Sequence, residues 1–215
     1  ENRLAEGGLP FVHEKAERCY QNTEIYFTEE MTANLLHNSA RTYHTGMNDL
    51  LLAALGKAVR NLTGQHCIAV GMEGHGREKL AKDITIDRTV GWFTSMYPVV
   101  LQTYDDIETQ IVNTKEMLRA VPNRGVGYGI LRGGTLFGAD IFFNYLGVVD
   151  GTSILDGLSV ADCNRLPGII TMNGEVSGKV LRFVISYDEY AVETETIQKF
   201  ARAYQSALED VVTVC

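Results

Sequence analysis

The sequence predicts an α/β sandwich with a mixed sheet, and three observations carry that prediction. Cys67-Ile68-Ala69-Val70-Gly71-Met72 and Ile141-Phe142-Phe143-Asn144-Tyr145-Leu146-Gly147 are apolar runs of the kind that form strands buried on both faces. Separate stretches carry apolar residues at three-and-four spacing, the mark of amphipathic helices. The two kinds of segment alternate along the chain, so each apolar strand has a helix to cover it. The length of 215 residues fits one large domain or a piece of a larger one.

Taken in order, residues 1–22 mix Gly7-Gly8, Pro10 and scattered charges without periodicity, and read as a linker or the tail of something upstream. Glu24-Ile25-Tyr26-Phe27-Thr28 is a strand candidate. Thr28 is placed to cap a helix whose first turn holds Glu29 and Glu30 and whose buried side carries Met31, Leu35 and Leu36. Met47, Leu50, Leu51, Ala54, Leu55, Ala58, Val59 and Leu62 mark the clearest helix, which Gly64 ends. That stripe reads as core packing. Met96–Leu101 is a strand that Pro98 places near a sheet edge or a bulge. A helix over about 106–120 buries Ile107, Ile111, Met117 and Leu118, and Pro122 stops it.

The segment Gly125-Val126-Gly127-Tyr128-Gly129 is glycine-rich but fits neither a phosphate-binding loop nor a dinucleotide fingerprint, so nucleotide binding is rejected. Asn144 interrupts its apolar strand, and a buried amide without partners costs roughly 1–3 kcal/mol. It must bond to neighbouring backbone or face a cavity. Residues 148–166 read as an irregular connection. Strands over about 168–176 and 179–187 meet at Ser177-Gly178, a tight hairpin turn. Ile197, Phe200, Ala201, Tyr204, Leu208, Val211 and Val212 form one stripe of a closing helix, with Glu193 and Glu195 at its start.

Composition narrows the function classes. Hydrophobic residues make up 45% and charged residues 21%, ordinary values for a globular chain. A net charge of -8 disfavours nucleic acid and anionic membrane as partners. Cys19, Cys67, Cys163 and Cys215 have no metal-site or disulfide-framework spacing, which fits a reducing cytoplasm. The histidines show no metal spacing either. No signal peptide or membrane-spanning run is visible. The chain opens Glu1-Asn2-Arg3 without an initiator Met, which reads as a fragment or a processed product.

Chemistry concentrates at Glu73-Gly74-His75-Gly76-Arg77-Glu78, where a core strand leaves the sheet. The glycines permit unusual backbone angles and close approach of a ligand. A carboxylate, an imidazole and a guanidinium so close together are expected to perturb one another's protonation. The bland reading is a charged strand exit in water. His75, between two glycines, reads as a backbone-shaping or hydrogen-bonded residue before it reads as a base. Trp92, the single tryptophan, is expected as a core anchor.

These residues also carry a resemblance. The chain resembles the C-terminal half of an epimerization domain of nonribosomal peptide synthetases, a branch of the condensation-domain superfamily. Five motifs fall in the family's order: Asn48-Asp49-Leu50-Leu51-Leu52 to Gly56, Glu73 to Glu78, Arg88 to Pro98, Pro122 to Leu131, and Phe143 to Gly147. The E-G-H-G-R-E and F-N-Y-L-G motifs favour epimerization over condensation. The implied fold is one half of the two-subdomain chloramphenicol acetyltransferase-like fold, with residues 23–215 as the C-terminal subdomain. Two departures stand out. The chain has no adjacent His pair, because the family's H-H-x-x-x-D-G motif lies in the upstream half. The connection from Gly129 to Phe143, with Gly133-Gly134 in it, is shorter than usual, which puts its bridging role between halves in question.

The resemblance implies inversion at Cα of an aminoacyl or peptidyl thioester. Glu73 is then the acid or base on one face, with a raised pKa. The second group is the missing His of the N-terminal half, so the chain alone is expected to be inactive. Arg77 has a structural or enolate-facing role. Asn144 and Tyr145 line the site and donate to the thioester oxygen or to Glu73. His75, Trp92, Phe93 and Tyr97 contact substrate, the last three at the tunnel floor, while Tyr128 packs. No cofactor is bound directly; the substrate rides on the phosphopantetheine arm of a partner carrier protein. The alternatives are a condensation-type subdomain forming amide bonds and a non-catalytic carrier-protein interaction module.

Overall fold

The computed structural model describes residues 6–13, 17–39, 42–79, 86, 88–133, 138–151, 153–157 and 164–215. Gly134 and Cys163 lie outside the described residues.

Strand β1 (Tyr20–Tyr26) begins inside the stretch read as linker and ends before Phe27 and Thr28. Its first residues, Tyr20-Gln21-Asn22-Thr23, sit on a sheet edge and are half-buried or exposed, so no apolar alternation marks them. Thr28 caps helix α1 (Glu29–Ala33) as expected, its hydroxyl accepting the Met31 N–H at 3.1 Å. A π-helical stretch follows over Asn34–Ser39, with Leu35 buried and Leu36 half-buried.

Helix α2 (Met47–Thr63) closes on Gly64 in the left-handed region at φ 70°. At its start the Asp49 carboxylate accepts the Gly46 N–H at 2.7 Å. Strand β2 (Cys67–Gly74) and strand β3 (Ser95–Gln102) pair antiparallel. Helix α3 (Ile107–Arg119) starts on the Asp106 side chain, which accepts the Thr109 N–H at 2.8 Å. A 3-10 turn at Pro122–Gly125 and the short helix α4 (Tyr128–Leu131) lead to strand β4 (Ile141–Val149). The connection after β4 includes a 3-10 turn at Leu155–Gly157. Strands β5 (Ile170–Ser177) and β6 (Val180–Asp188) form a hairpin, and helix α5 (Thr194–Val214) closes the chain. The hairpin turn is Gly178-Lys179, one residue later than expected, with φ of 55° and 70°. Two positive φ angles give the primed turn that matches strand twist.

Among the described residues, six strands run in the order β1-β6-β5-β4-β2-β3. β4 pairs parallel with both β2 and β5, and the remaining pairs are antiparallel, so the sheet is mixed. The helices cover one face. Phe143 of β4 packs on Phe183 of β6 at 5.7 Å, and Phe183 meets Tyr204 of α5 edge-on at 5.4 Å. Helix α2 packs against α3 and α5 and is buried more broadly than its stripe implied: Leu50, Leu51, Leu52, Ala53, Ala54 and Leu55 are all fully buried.

Side chains alternate across a strand. Met72, Phe143, Met172 and Phe183 therefore share the helix face, while Glu73, Asn144, Asn173 and Arg182 share the other. The N-terminal stretch is packed against this sheet. Gly7 accepts the Ala69 N–H at 3.0 Å, Leu9 is buried and donates its N–H to Asp140 at 2.6 Å, and Arg18 pairs with buried Asp188 at 3.2 Å.

Candidate active site

Glu73 and Gly74 are the last residues of β2, and Glu73 leaves on the face without helices. The carboxylate is half-buried, and loss of water around it is the cause that raises its pKa. Desolvation penalises the charged form, so the group holds its proton to higher pH than an exposed glutamate. Asn144, on the neighbouring strand and the same face, donates its Nδ2–H to Glu73 Oε2 at 3.3 Å. That bond answers the question posed by an amide in an apolar strand.

Burial is the cause that raises the Glu73 pKa, and neither His75 nor Arg77 is hydrogen-bonded to that carboxylate among the described residues. Arg77 is directed at the loop before β3. Its guanidinium donates to the carbonyls of Ile86 at 2.8 Å, Thr89 at 3.0 Å and Gly91 at 3.3 Å, and lies 4.2 Å from the centre of the Phe93 ring. A planar fork with five donors suits this clamping task. Of the two roles considered for Arg77, the geometry supplies the structural one.

His75 Nδ1 accepts the Arg77 N–H at 3.0 Å, and Nε2 lies 3.1 Å from Glu78 Oε1. With Nδ1 accepting, the ring proton sits on Nε2 and points at Glu78. His75 thus shapes the loop. Gly76 is required there: its φ is 65°, and a Cβ would sit 1.5 Å from the Phe93 carbonyl oxygen. Glu78 also meets Arg124 at 3.8 Å, which ties the loop after β2 to the turn after α3.

Tyr97 pairs with Met72 and so faces the helix side, where it belongs to the core. Its ring occupies the space a side chain at Gly125 would take, with a Cβ there 2.1 Å from the ring. Tyr145 also falls on the helix face, opposite Asn144, and packs against the core; burial raises its phenol pKa. Among the described residues Glu73 receives its hydrogen bond from Asn144 and none from Tyr145. Phe93 stays under Arg77. Trp92 is no core anchor: it is 90% exposed. Tryptophan's size predicted burial, but its place on the loop clamped by Arg77 leaves the indole outside the sheet-helix core.

One residue escaped the sequence reading. Asn173 of β5 stands directly beside Asn144 on the same face and is half-buried. The signal was the same as for Asn144, a lone amide between apolar residues in Met172-Asn173-Gly174. No cluster of three or more potential metal ligands occurs among the described residues. None of their helices is long and apolar enough to cross a membrane.

With this geometry in view, the similarities to known proteins become specific. The family model of the condensation domain matches residues 1–215. The chain belongs to the condensation-domain family. A linear gramicidin synthase protein from Brevibacillus parabrevis is 36% identical over 96% of this chain and 4% of its own length. Surfactin synthase subunit 1 from Bacillus subtilis is 35% identical over 100% of this chain and 7% of its own length. The chain therefore spans a small fraction of these curated relatives. The surfactin synthase alignment runs over 239 positions against 215 residues here, so that condensation-family relative carries extra residues within the matched span.

Among solved structures, the epimerization domain from the third module of tyrocidine synthetase B is similar with a TM-score of 0.84 at 32% identity. The match covers 97% of this chain and 52% of that one. The condensation domain from Monacolin K polyketide synthase shares the fold, with a TM-score of 0.71 at 16% identity over 96% of this chain and 53% of that one.

Proposed function

We propose that this chain contributes one half of an epimerization site that inverts the Cα of an aminoacyl or peptidyl thioester on a carrier protein. The observation that carries the reading is Glu73: a half-buried carboxylate, raised in pKa by desolvation, held by Asn144 at the end of a core strand. A base for a weak carbon acid must be able to accept a proton and give it back near neutral pH, and this environment moves a glutamate in that direction. The similarity to an epimerization domain at 32% identity supports the same reading.

In the proposed reaction Glu73 takes the Cα proton and the C–H electron pair moves into the thioester carbonyl, giving an enolate. A second group delivers a proton to the opposite face and the carbonyl re-forms, so the product is the mirror-image centre with no net change in atoms. Asn144 keeps Glu73 oriented through one N–H and has a second N–H to offer the enolate oxygen. Arg77 acts through the loop it clamps. The second acid/base group comes from the other half of the domain, the proposed partner of this chain. Val90 and Trp92 on one loop, and Ile130 and Leu131 on α4, are 84–99% exposed and provide apolar surface for that half. The thioester itself arrives on the pantetheine arm of a carrier protein, in the cytoplasm, and no other cofactor enters the reaction.

A condensation-type reading shares the family and the fold. Glu73→Gln in the complete domain separates the two. Solvent deuterium incorporation at Cα should fall by at least about 100-fold, the scale of a lost acid/base group. Retained exchange would remove Glu73 as the base, and a wild-type domain that forms amide without Cα exchange, before and after the substitution, would favour condensation chemistry.

A further inference from the structure

Across the face without helices, β2, β4 and β5 place three polar side chains in one row. Glu73 is bonded to Asn144, and Asn144 is in direct register with Asn173. Neighbouring strands lie about 4.8 Å apart, so Asn173 stands two spacings, about 10 Å, from Glu73 along the row. Asn144 gives one N–H to Glu73. Asn173 is different: it is half-buried, and its side-chain amide makes no hydrogen bond among the described residues. A partly desolvated amide with free donor and acceptor is a group awaiting a polar partner.

The chemistry of the row indicates which partner. If Glu73 works on the substrate Cα, the atoms attached to that Cα lie above Asn144. In a peptidyl thioester the carbonyl of the preceding residue sits about 2.5 Å from Cα through the amide nitrogen. Asn173 lies in the row beyond Asn144, where an amide on that Cα can reach it. A carboxamide presents one donor and one acceptor to a peptide group, which presents the complementary pair. A free aminoacyl ammonium has no carbonyl to accept from Asn173.

We infer that Asn173 is a specificity-determining residue that pairs with the amide on the amino side of the reacting Cα, so that the site favours peptidyl over aminoacyl thioesters. The inference rests on the epimerase reading proposed above. It assigns Asn173 a contact with substrate, whereas a structural role would pass through Asn144 and Glu73.

The test uses this chain with the other half of the domain and a separate carrier protein. The carrier is loaded with an aminoacyl pantetheine and, in parallel, with the N-acetylated form of the same aminoacyl group. The acetyl group adds one amide and nothing else of consequence, and alanyl, leucyl and phenylalanyl pairs are run together. Wild-type protein should exchange the Cα proton of the N-acetylated thioester faster. Asn173→Ala should lose about tenfold in kcat/KM on the N-acetylated thioester, mainly through KM, and stay within about twofold of wild type on the free-amine form. Asn173→Ser is a second variant for the same comparison. The free-amine reaction reports in each variant that fold and base are intact.

Equal losses on both thioesters would overturn the inference and make Asn173 a prop for Asn144. No loss on either would overturn it as well. A wild-type protein that exchanges neither thioester would overturn the epimerase reading itself, and the inference with it.

Discussion

At the scale of single residues, Glu73 is governed by desolvation, and that has a consequence for stability. Its folded-state pKa is raised above the unfolded value, so the folded protein binds the proton more tightly. Above the raised pKa the ionised, half-buried carboxylate opposes folding; the penalty is relieved as pH falls through that pKa. Glu73→Gln keeps an acceptor for Asn144 and removes the charge. The variant is expected to melt at or above the wild-type temperature at pH 8, with the difference closing toward pH 4. Thermal melts across that range check it, and a variant less stable at pH 8 than at pH 4, relative to wild type, would contradict the assignment. Gly76 carries a second expectation. A Cβ 1.5 Å from the Phe93 oxygen at φ 65° cannot be accommodated without moving the loop. Gly76→Ala should cost at least about 2 kcal/mol in urea unfolding. The identity of the motif residues was legible in the sequence, but their directions were not. Arg77 spends its donors on the carbonyls of Ile86, Thr89 and Gly91, and His75 is held by the Arg77 N–H and by Glu78, contacts made across the folded loop that spacing along the chain does not report.

At the scale of elements, the helices were legible because their signals are local. Gly64 ends α2 and Thr28 caps α1 where the residue types place them. The edge strand β1 was misplaced because its outer residues are paired through backbone to β6, and side-chain pattern does not report that pairing. The pairing of Asn144 with Glu73, and the presence of Asn173 beside them, depend on β4 lying between β2 and β5. Sequence order hides that neighbour relation. Two loops are held by charged side chains, and each gives an expectation. Arg77→Lys, with one point charge for a fork, should raise hydrogen exchange and proteolysis in residues 88–93 while sparing α2 and α5. Glu175, fully buried on β5, accepts from the Ser153 hydroxyl and from the Ile154 N–H at 3.1 Å. Glu175→Val leaves that N–H without its acceptor and should cost about 1–3 kcal/mol in chemical denaturation.

At the scale of the whole molecule, fold and site separate cleanly. One apolar core lies between the sheet and α2, α3 and α5. The candidate site lies on the opposite face and holds Glu73, the carboxylate proposed as an acid/base group, where the proposed inversion needs groups on both sides of Cα. The match over 52% of an epimerization domain fits a site completed by a second half. The measurement that bears most directly on this account is Cα-deuterium uptake from D₂O into an aminoacyl- or peptidyl-carrier thioester. It is made with this chain alone and then with the other half of the domain added. Uptake in the mixture only, abolished by Glu73→Gln, is the expected result. Uptake by the chain alone, or in a mixture containing Glu73→Gln, would contradict it.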